Sequence, residues 1–238
     1  MPSFRPGPDP DFPYLDENQY FPFPDPSAWD NDIIAVGGNL SPGMLLSAYE
    51  QGIFPWYNPA DPIIWQSPDP RCVIFPDTLH ISESMRKVLR NKTFDICYDR
   101  DFEGVIRNCS IAERPGQEGT WISGDIIAAY TELHRLGWVH SAEAWQDGEL
   151  AGGCYGIVMG EGFFGESMFH KKPDASKAAF LSFASFLFKN RIKFIDCQVP
   201  TRHLMSFGGK EIPRAEFLPL LKKNKISRFY NKIITWNL

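Results

Sequence analysis

Val139-His-Ser-Ala-Glu-Ala-Trp145, then Gln-Asp-Gly-Glu, then Leu150-Ala-Gly-Gly-Cys-Tyr-Gly-Ile-Val-Met159, then Gly-Glu-Gly, then Phe163-Phe-Gly-Glu-Ser-Met-Phe169: this stretch decides the fold. Three largely apolar runs separated by turn residues read as three consecutive strands. The Asp-Gly between the first two is a strong hairpin signal. Downstream, Phe180, Phe183, Ala184, Leu187 and Phe188 recur at i, i+3, i+4, i+7, i+8, which predicts an amphipathic helix. A strand over Ile192–Val199 follows. Next come a helix near Thr201–Phe207 stopped by Gly208-Gly209, a strand near Ile212, and a helix through Phe217, Leu220 and Leu221. Upstream, Ser123 caps a helix carrying Ile126, Ile127, Tyr130 and Leu133 and ending at Gly137. Phe102, Val105, Ile106 and Cys109 mark another helix, and Met85, Val88 and Leu89 a third. Cys72–Phe75 is a short apolar strand. Meandering strands flanked by helices predict an α+β fold with a mixed sheet.

The first 70 residues differ in kind. Eight of the twenty prolines fall in the first 26 residues, which predicts an irregular, partly extended arm. A helix follows, with Ser41 at its N-cap, Pro42 at its first position and Gly52 as its stop. Leu45, Ala48 and Tyr49 share one face. The proline-rich, aromatic run Gly52–Arg71 reads as a rigid loop or short-strand region. The expected division is a small N-terminal domain over 1–72, with its Pro-rich arm, and a larger domain over 73–238.

Composition narrows the function. Hydrophobic residues are 43% and charged residues 22% of 238, near globular averages, which excludes a disordered chain. No apolar run approaches the ~18 residues of a membrane span. The opening Met1-Pro-Ser-Phe-Arg-Pro-Gly-Pro lacks the apolar core of a secretory signal. Five cysteines with no CxxC pair argue against a disulfide framework or zinc site, so a reduced cytoplasm is expected. The net charge of −5 conceals a gradient: −9 over 1–70, −6 over 71–170 and +10 over 171–238. Lys171, Lys172, Lys189, Arg191, Lys193, Lys222, Lys223, Lys225, Arg228 and Lys232 belong to the basic segment. Such polarity suits a polyanionic partner despite the overall sign.

Gly160-Glu-Gly-Phe-Phe-Gly165 matches GxGxxG, but these glycines open an aromatic strand rather than a helix, so no nucleotide site is expected. The five histidines are scattered, and none pairs with a cysteine at metal-ligand spacing. The polar residues that interrupt apolar strands are more informative. Alternation sets Asp196 and Gln198 on one strand face, with Ile192 and Phe194 before them. Glu166 lies between Phe164 and Met168 on the neighbouring strand. Together they would border one pocket, lined by Met168 and Phe183, with carboxylates and an amide but no nucleophile. That set suits binding and deprotonating an amine, not covalent catalysis.

The chain also resembles the leucyl/phenylalanyl-tRNA–protein transferase family. The matching segments are Gly38-Asn-Leu-Ser-Pro42, Gly52-Ile-Phe-Pro-Trp56, Trp65-Gln-Ser-Pro-Asp-Pro-Arg71, Gly119-Thr-Trp-Ile122, His140-Ser-Ala-Glu-Ala-Trp145, Gly152-Gly-Cys-Tyr-Gly156, Phe164-Gly-Glu-Ser-Met-Phe169, Ala175-Ser-Lys177 and Ile195-Asp-Cys-Gln198. The resemblance implies a GNAT-like C-terminal domain without cofactor or metal. It implies a cytoplasmic, monomeric enzyme that moves Leu or Phe, and also Met, from aminoacyl-tRNA to an N-terminal Arg or Lys of acceptor proteins, marking them for N-end rule degradation. It assigns substrate binding to Tyr49, Trp56, Trp121, Glu166, Met168 and Phe183, and catalysis to Asp196 and Gln198. Gln66 and His170 depart from the family pattern. Lys189, Arg191 and Lys193, at the joint before the Asp196 strand, are the expected tRNA contacts. A coenzyme A acetyltransferase would need an R/Q-x-x-G-x-G/A run before a helix, which is absent. A purely RNA-binding module would leave the Asp196 and Gln198 pair unexplained.

Overall fold

A computed structural model describes residues 5–112 and 120–228. Lys232 of the basic segment, Gly119 and the first four residues of the arm lie outside the described residues. The N-terminal part holds a three-stranded antiparallel sheet of β1 (Ile33–Val36), β2 (Phe54–Pro55) and β3 (Ile64–Gln66), in the order β1-β3-β2. Helix α1 (Pro42–Glu50) stands beside it and ends at Gly52, whose φ of +78° suits a glycine stop. Every residue from Pro42 to Tyr49 is buried, not one face alone. The cause is the arm, which wraps around the helix. The Leu15, Phe21 and Phe23 amides donate to the Ser41 Oγ, Ser47 Oγ and Gln51 Oε1 atoms at 3.1, 2.8 and 3.0 Å. Ser41 holds the N-cap position, yet its hydroxyl serves the arm and Asn39 instead of its own helix. Arg228 closes the wrap by bonding Glu50, Ser47 and the Gln19 carbonyl.

The rest of the chain builds a seven-stranded sheet. Its strands are β4 (Arg71–Ile74), β5 (Asp95–Tyr98), β6 (Val139–Gln146), β7 (Glu149–Met159), β8 (Gly162–His170), β9 (Phe194–Gln198) and β10 (Lys210–Ile212). Their order is β10-β4-β9-β8-β7-β6-β5, and only β8 and β9 run parallel. Asp147 and Gly148 both have positive φ, the geometry a two-residue Asp-Gly hairpin requires. β5 has no apolar run to announce it: it is the short, half-buried edge strand Asp-Ile-Cys-Tyr.

Helices cover both faces. The short α6 (Arg202–Ser206) joins β9 to β10, while α1, α3 (Phe102–Ile111), α4 (Gly124–Arg135) and α7 (Arg214–Lys223) share one core, which holds Tyr49, Tyr130, Phe164, Phe194 and Phe217. α2 (Glu83–Arg90) and α5 (Ala175–Lys189) share the other, with Phe163, Phe180, Phe183 and Ile195. Ser82 and Ser123 cap α2 and α4 through their side chains. Ile192 precedes β9 and packs into the α5 core, so it does not share a face with Phe194 as strict alternation predicts. The turn at Arg191, with φ of +76°, breaks the period there. Among the described residues, no helix is long and apolar enough to cross a membrane.

Candidate active site

β8 and β9 pair over only three residues, the last pair being Phe164 with Asp196. Beyond it the two strands part. Each carries a bulge at that point. Tyr155 faces Ser167 while Gly156 faces Gly165, which leaves Glu166 as the extra residue of β8. Cys72 faces Gln198 while Val73 faces Asp196, which leaves Cys197 as the extra residue of β9. A bulge advances the alternation by one residue and re-aims the side chains beyond it. Phe164 and Glu166 therefore stay on the α1–α4 side, whereas Met168 turns into the α5 core. Glu166 and Met168 do not share a face as simple alternation requires.

A cavity of about 220 Å³ opens where the strands part, lined by Cys154, Phe163, Met168, Phe180, His203 and Leu204 among others. Trp121, Glu166, Gln198 and Thr201 line both it and an adjoining cavity of about 220 Å³ that includes Phe54 and Trp56. Tyr49 is fully buried, and its hydroxyl donates to Glu166 Oε1 at 2.6 Å. The Tyr130 hydroxyl donates to Glu166 Oε2 at 3.2 Å and lies 2.6 Å from that of Tyr49. Gln198 Nε2 donates to Glu166 Oε1 at 3.4 Å. Burial pushes the Glu166 carboxyl up to about 8, against the lowering effect of the two tyrosine hydroxyls. Both tyrosines are raised well above their ordinary value, chiefly by burial and next by Glu166 itself.

Asp196 lies one layer deeper, with no exposed surface. Arg71 Nε and Nη2 donate to its two oxygens at 2.9 and 2.7 Å. The Gln198 backbone amide donates to Asp196 Oδ1 at 2.9 Å and closes a turn in which Gln198 takes φ of +54°. A non-glycine residue in that region costs about 1–3 kcal/mol and persists only where its surroundings hold it. Asp196 is not among the residues that line either cavity, and both its oxygens are engaged by Arg71.

Phe183 likewise stands behind the cavity, its ring 5.2 Å from that of Phe163. The phenylalanines that line it are Phe163 and Phe180. Trp56 is 38% exposed and Trp121 half-buried. Lys189, Arg191 and Lys193 are exposed and lie where α5 ends and the chain turns into β9, at the opposite end of that strand from Gln198. Arg71, Tyr130 and His203 are site residues the sequence reading passed over. His203 is held below its ordinary value by burial and by the charges of Lys177 and His170, which gather near it. Cys154 and Cys197 face the cavity as free thiols. Burial raises Cys154, and a hydrogen bond with Cys72 followed by burial raises Cys197, so neither supplies a thiolate nucleophile.

A polar end formed by Glu166 and Gln198 closing an apolar cavity can orient an amine against an acyl group. Comparison with known proteins agrees with that chemistry. The family model "Leucyl/phenylalanyl-tRNA protein transferase" matches residues 73–222, and the model of that family's N-terminal domain matches residues 38–69. A leucyl/phenylalanyl-tRNA–protein transferase of Nitratidesulfovibrio vulgaris is 49% identical over 217 residues, 91% of this chain and 92% of the relative. One from Anaeromyxobacter sp. (strain K) is 51% identical over 202 residues, 84% of this chain and 87% of the relative. A solved structure of a conserved protein of unknown function from Bacteroides thetaiotaomicron is a distant likeness: 14% identity, TM-score 0.39, covering 58% of this chain and 53% of that one. With identity near one half sustained along most of both chains, and both family models in order, the chain belongs to the leucyl/phenylalanyl-tRNA–protein transferase family.

Proposed function

We propose that this chain, an aminoacyl-tRNA–protein transferase by family, moves Leu, Phe or Met from tRNA to the N-terminal Arg or Lys of acceptor proteins. The observation that carries the reading is the apolar cavity closed by Glu166 and Gln198. The donor side chain enters between Met168, Phe163 and Phe180. The terminal adenine lies against Trp56 and Trp121, whose flat faces suit base stacking.

In the reaction, the neutral α-amine of the acceptor attacks the ester carbonyl. The nitrogen–carbon bond forms, the ribose oxygen leaves with the electron pair of the broken ester bond, and the proton released by nitrogen balances the one gained by the ribose hydroxyl. The α-amine has an ordinary value near 7.7–8.0, so roughly a tenth of it is already neutral at pH 7. Deprotonation then accounts for little of the barrier, and alignment, worth roughly 7–11 kcal/mol, for most. Gln198 touches the reacting groups: its carbonyl accepts from the amine while Glu166 holds its amide. Asp196 acts through Gln198.

A GNAT-like description of the 73–238 domain is supported by the parallel pair of β8 and β9, the one such pair in the sheet among the described residues, parted at the site. Lys189, Arg191 and Lys193 contact the tRNA body at a distance from the chemistry. The test uses Phe-tRNA carrying labelled Phe with a peptide beginning in Arg and the same peptide acetylated at its N-terminus. Label is expected in the free peptide alone. Label in neither peptide, or equally in both, refutes the reading.

A further inference from the structure

Arg71 lines neither cavity, yet its setting is costly and specific. It is a wholly buried guanidinium at the start of an otherwise apolar strand, Arg-Cys-Val-Ile. The Phe54 and Phe217 rings flank it, with centroids 4.9 and 4.5 Å from the guanidinium carbon. Its remaining terminal nitrogen donates to the Gly52 carbonyl at 3.1 Å, where α1 ends. One side chain thus ties the end of α1, strand β4 and strand β9 together.

Because Arg71 occupies both oxygens of Asp196, that carboxylate has one remaining task in view: to accept the Gln198 amide and hold the left-handed turn. The turn decides where the Gln198 side chain points, and it points to Glu166. Planar bidentate pairing fixes both distance and orientation, which a lysine cannot do. Isolated buried pairs are weak devices for stability, so retaining one here suggests that its use is geometric.

We propose that Arg71 is a positioning residue for the transfer reaction: it fastens Asp196 as a fixed acceptor for the Gln198 amide, and Asp196 takes no proton from the substrate. The proposal rests on the transferase reading and concerns how that site is held. Arg71→Lys keeps a positive charge and loses the fork. Turnover of labelled Phe from Phe-tRNA to an Arg-starting peptide should fall about 100-fold, the scale of a 1 Å misplacement. The KM for Phe-tRNA should stay within about two-fold, since uniform binding is untouched. Unchanged turnover, or a KM that rises in step with the loss, overturns the proposal.

Asp196→Asn supplies a second readout that does not depend on Arg71→Lys folding. Asn keeps an oxygen for the Gln198 amide but cannot take a proton at this position. Its pH–turnover profile should keep the wild-type acidic limb at a lower plateau. Disappearance of that limb would make Asp196 the proton acceptor and overturn the proposal. Failure of the wild-type protein itself to transfer Phe would instead sink the functional reading, so the two failures are distinguishable.

Discussion

Glu166→Gln should make the protein more stable at pH 8, and the gain should vanish in acid. The Glu166 carboxyl is moved from 4.5 to about 8 by burial, opposed by its bonds from Tyr49 and Tyr130. A carboxyl raised in the folded state keeps its proton at pH values where the unfolded chain has lost it. Its contribution to stability is therefore whole below about 4.5 and is lost progressively as pH rises towards about 8. Each unit is worth about 1.4 kcal/mol, so the full span would be about 5 kcal/mol. Water reaching the carboxyl from the cavity reduces that to about 2–3 kcal/mol. Glutamine keeps the shape and an acceptor oxygen without the ionisation. The assay is urea unfolding of wild type and Glu166→Gln at pH 5 to 9. Every other group titrates in both proteins, so the difference curve isolates residue 166. The difference should grow by about 2–3 kcal/mol in favour of Gln across that range. Parallel stability curves would refute the burial argument.

Other outcomes follow from neighbouring groups. Asp196→Ala leaves the Arg71 guanidinium buried without its carboxylate, which should cost about 3–5 kcal/mol and lower Tm by roughly 6–20 °C by calorimetry. Reversing the charges of Lys189, Arg191 and Lys193 together should flatten the slope of log affinity for tRNA against log salt, measured by filter binding, because fewer counterions are released. Phe180→Ala should weaken transfer of Phe and Leu together in a competition among charged tRNAs, since Phe180 lines the cavity. Phe183→Ala, behind the wall, should lower stability by about 3–5 kcal/mol while leaving the Leu-to-Phe ratio unchanged.

Much of this architecture was legible in the residues. The Asp-Gly hairpin, the apolar stripe of α5 and the succession of strands and helices around them follow from local chemistry that tertiary contacts reinforce. Glu166 and Gln198 were conspicuous because polar groups in an apolar strand need partners. What stayed hidden depends on contacts between distant segments. The bulges at Glu166 and Cys197 have no local mark, so strict alternation put Met168 on the wrong face. The α5 stripe shows Phe180 and Phe183 as equals, and only the parting of β8 from β9 makes one a wall and the other its support. Tyr130 reads as one more apolar position, although a buried hydroxyl on such a stripe signals a partner. Arg71 reads as the end of a loop until strand pairing sets it beside Asp196.

The most direct test is a single-turnover measurement with Gln198→Ala on pre-bound Phe-tRNA, started by a saturating Arg-starting peptide. If Gln198 aligns amine and ester at the parting of β8 and β9, the transfer rate falls about 100-fold. The Kd for Phe-tRNA, measured beside it, stays within about three-fold, because the cavity walls and tryptophans remain. A transfer rate near that of the wild type would contradict the account.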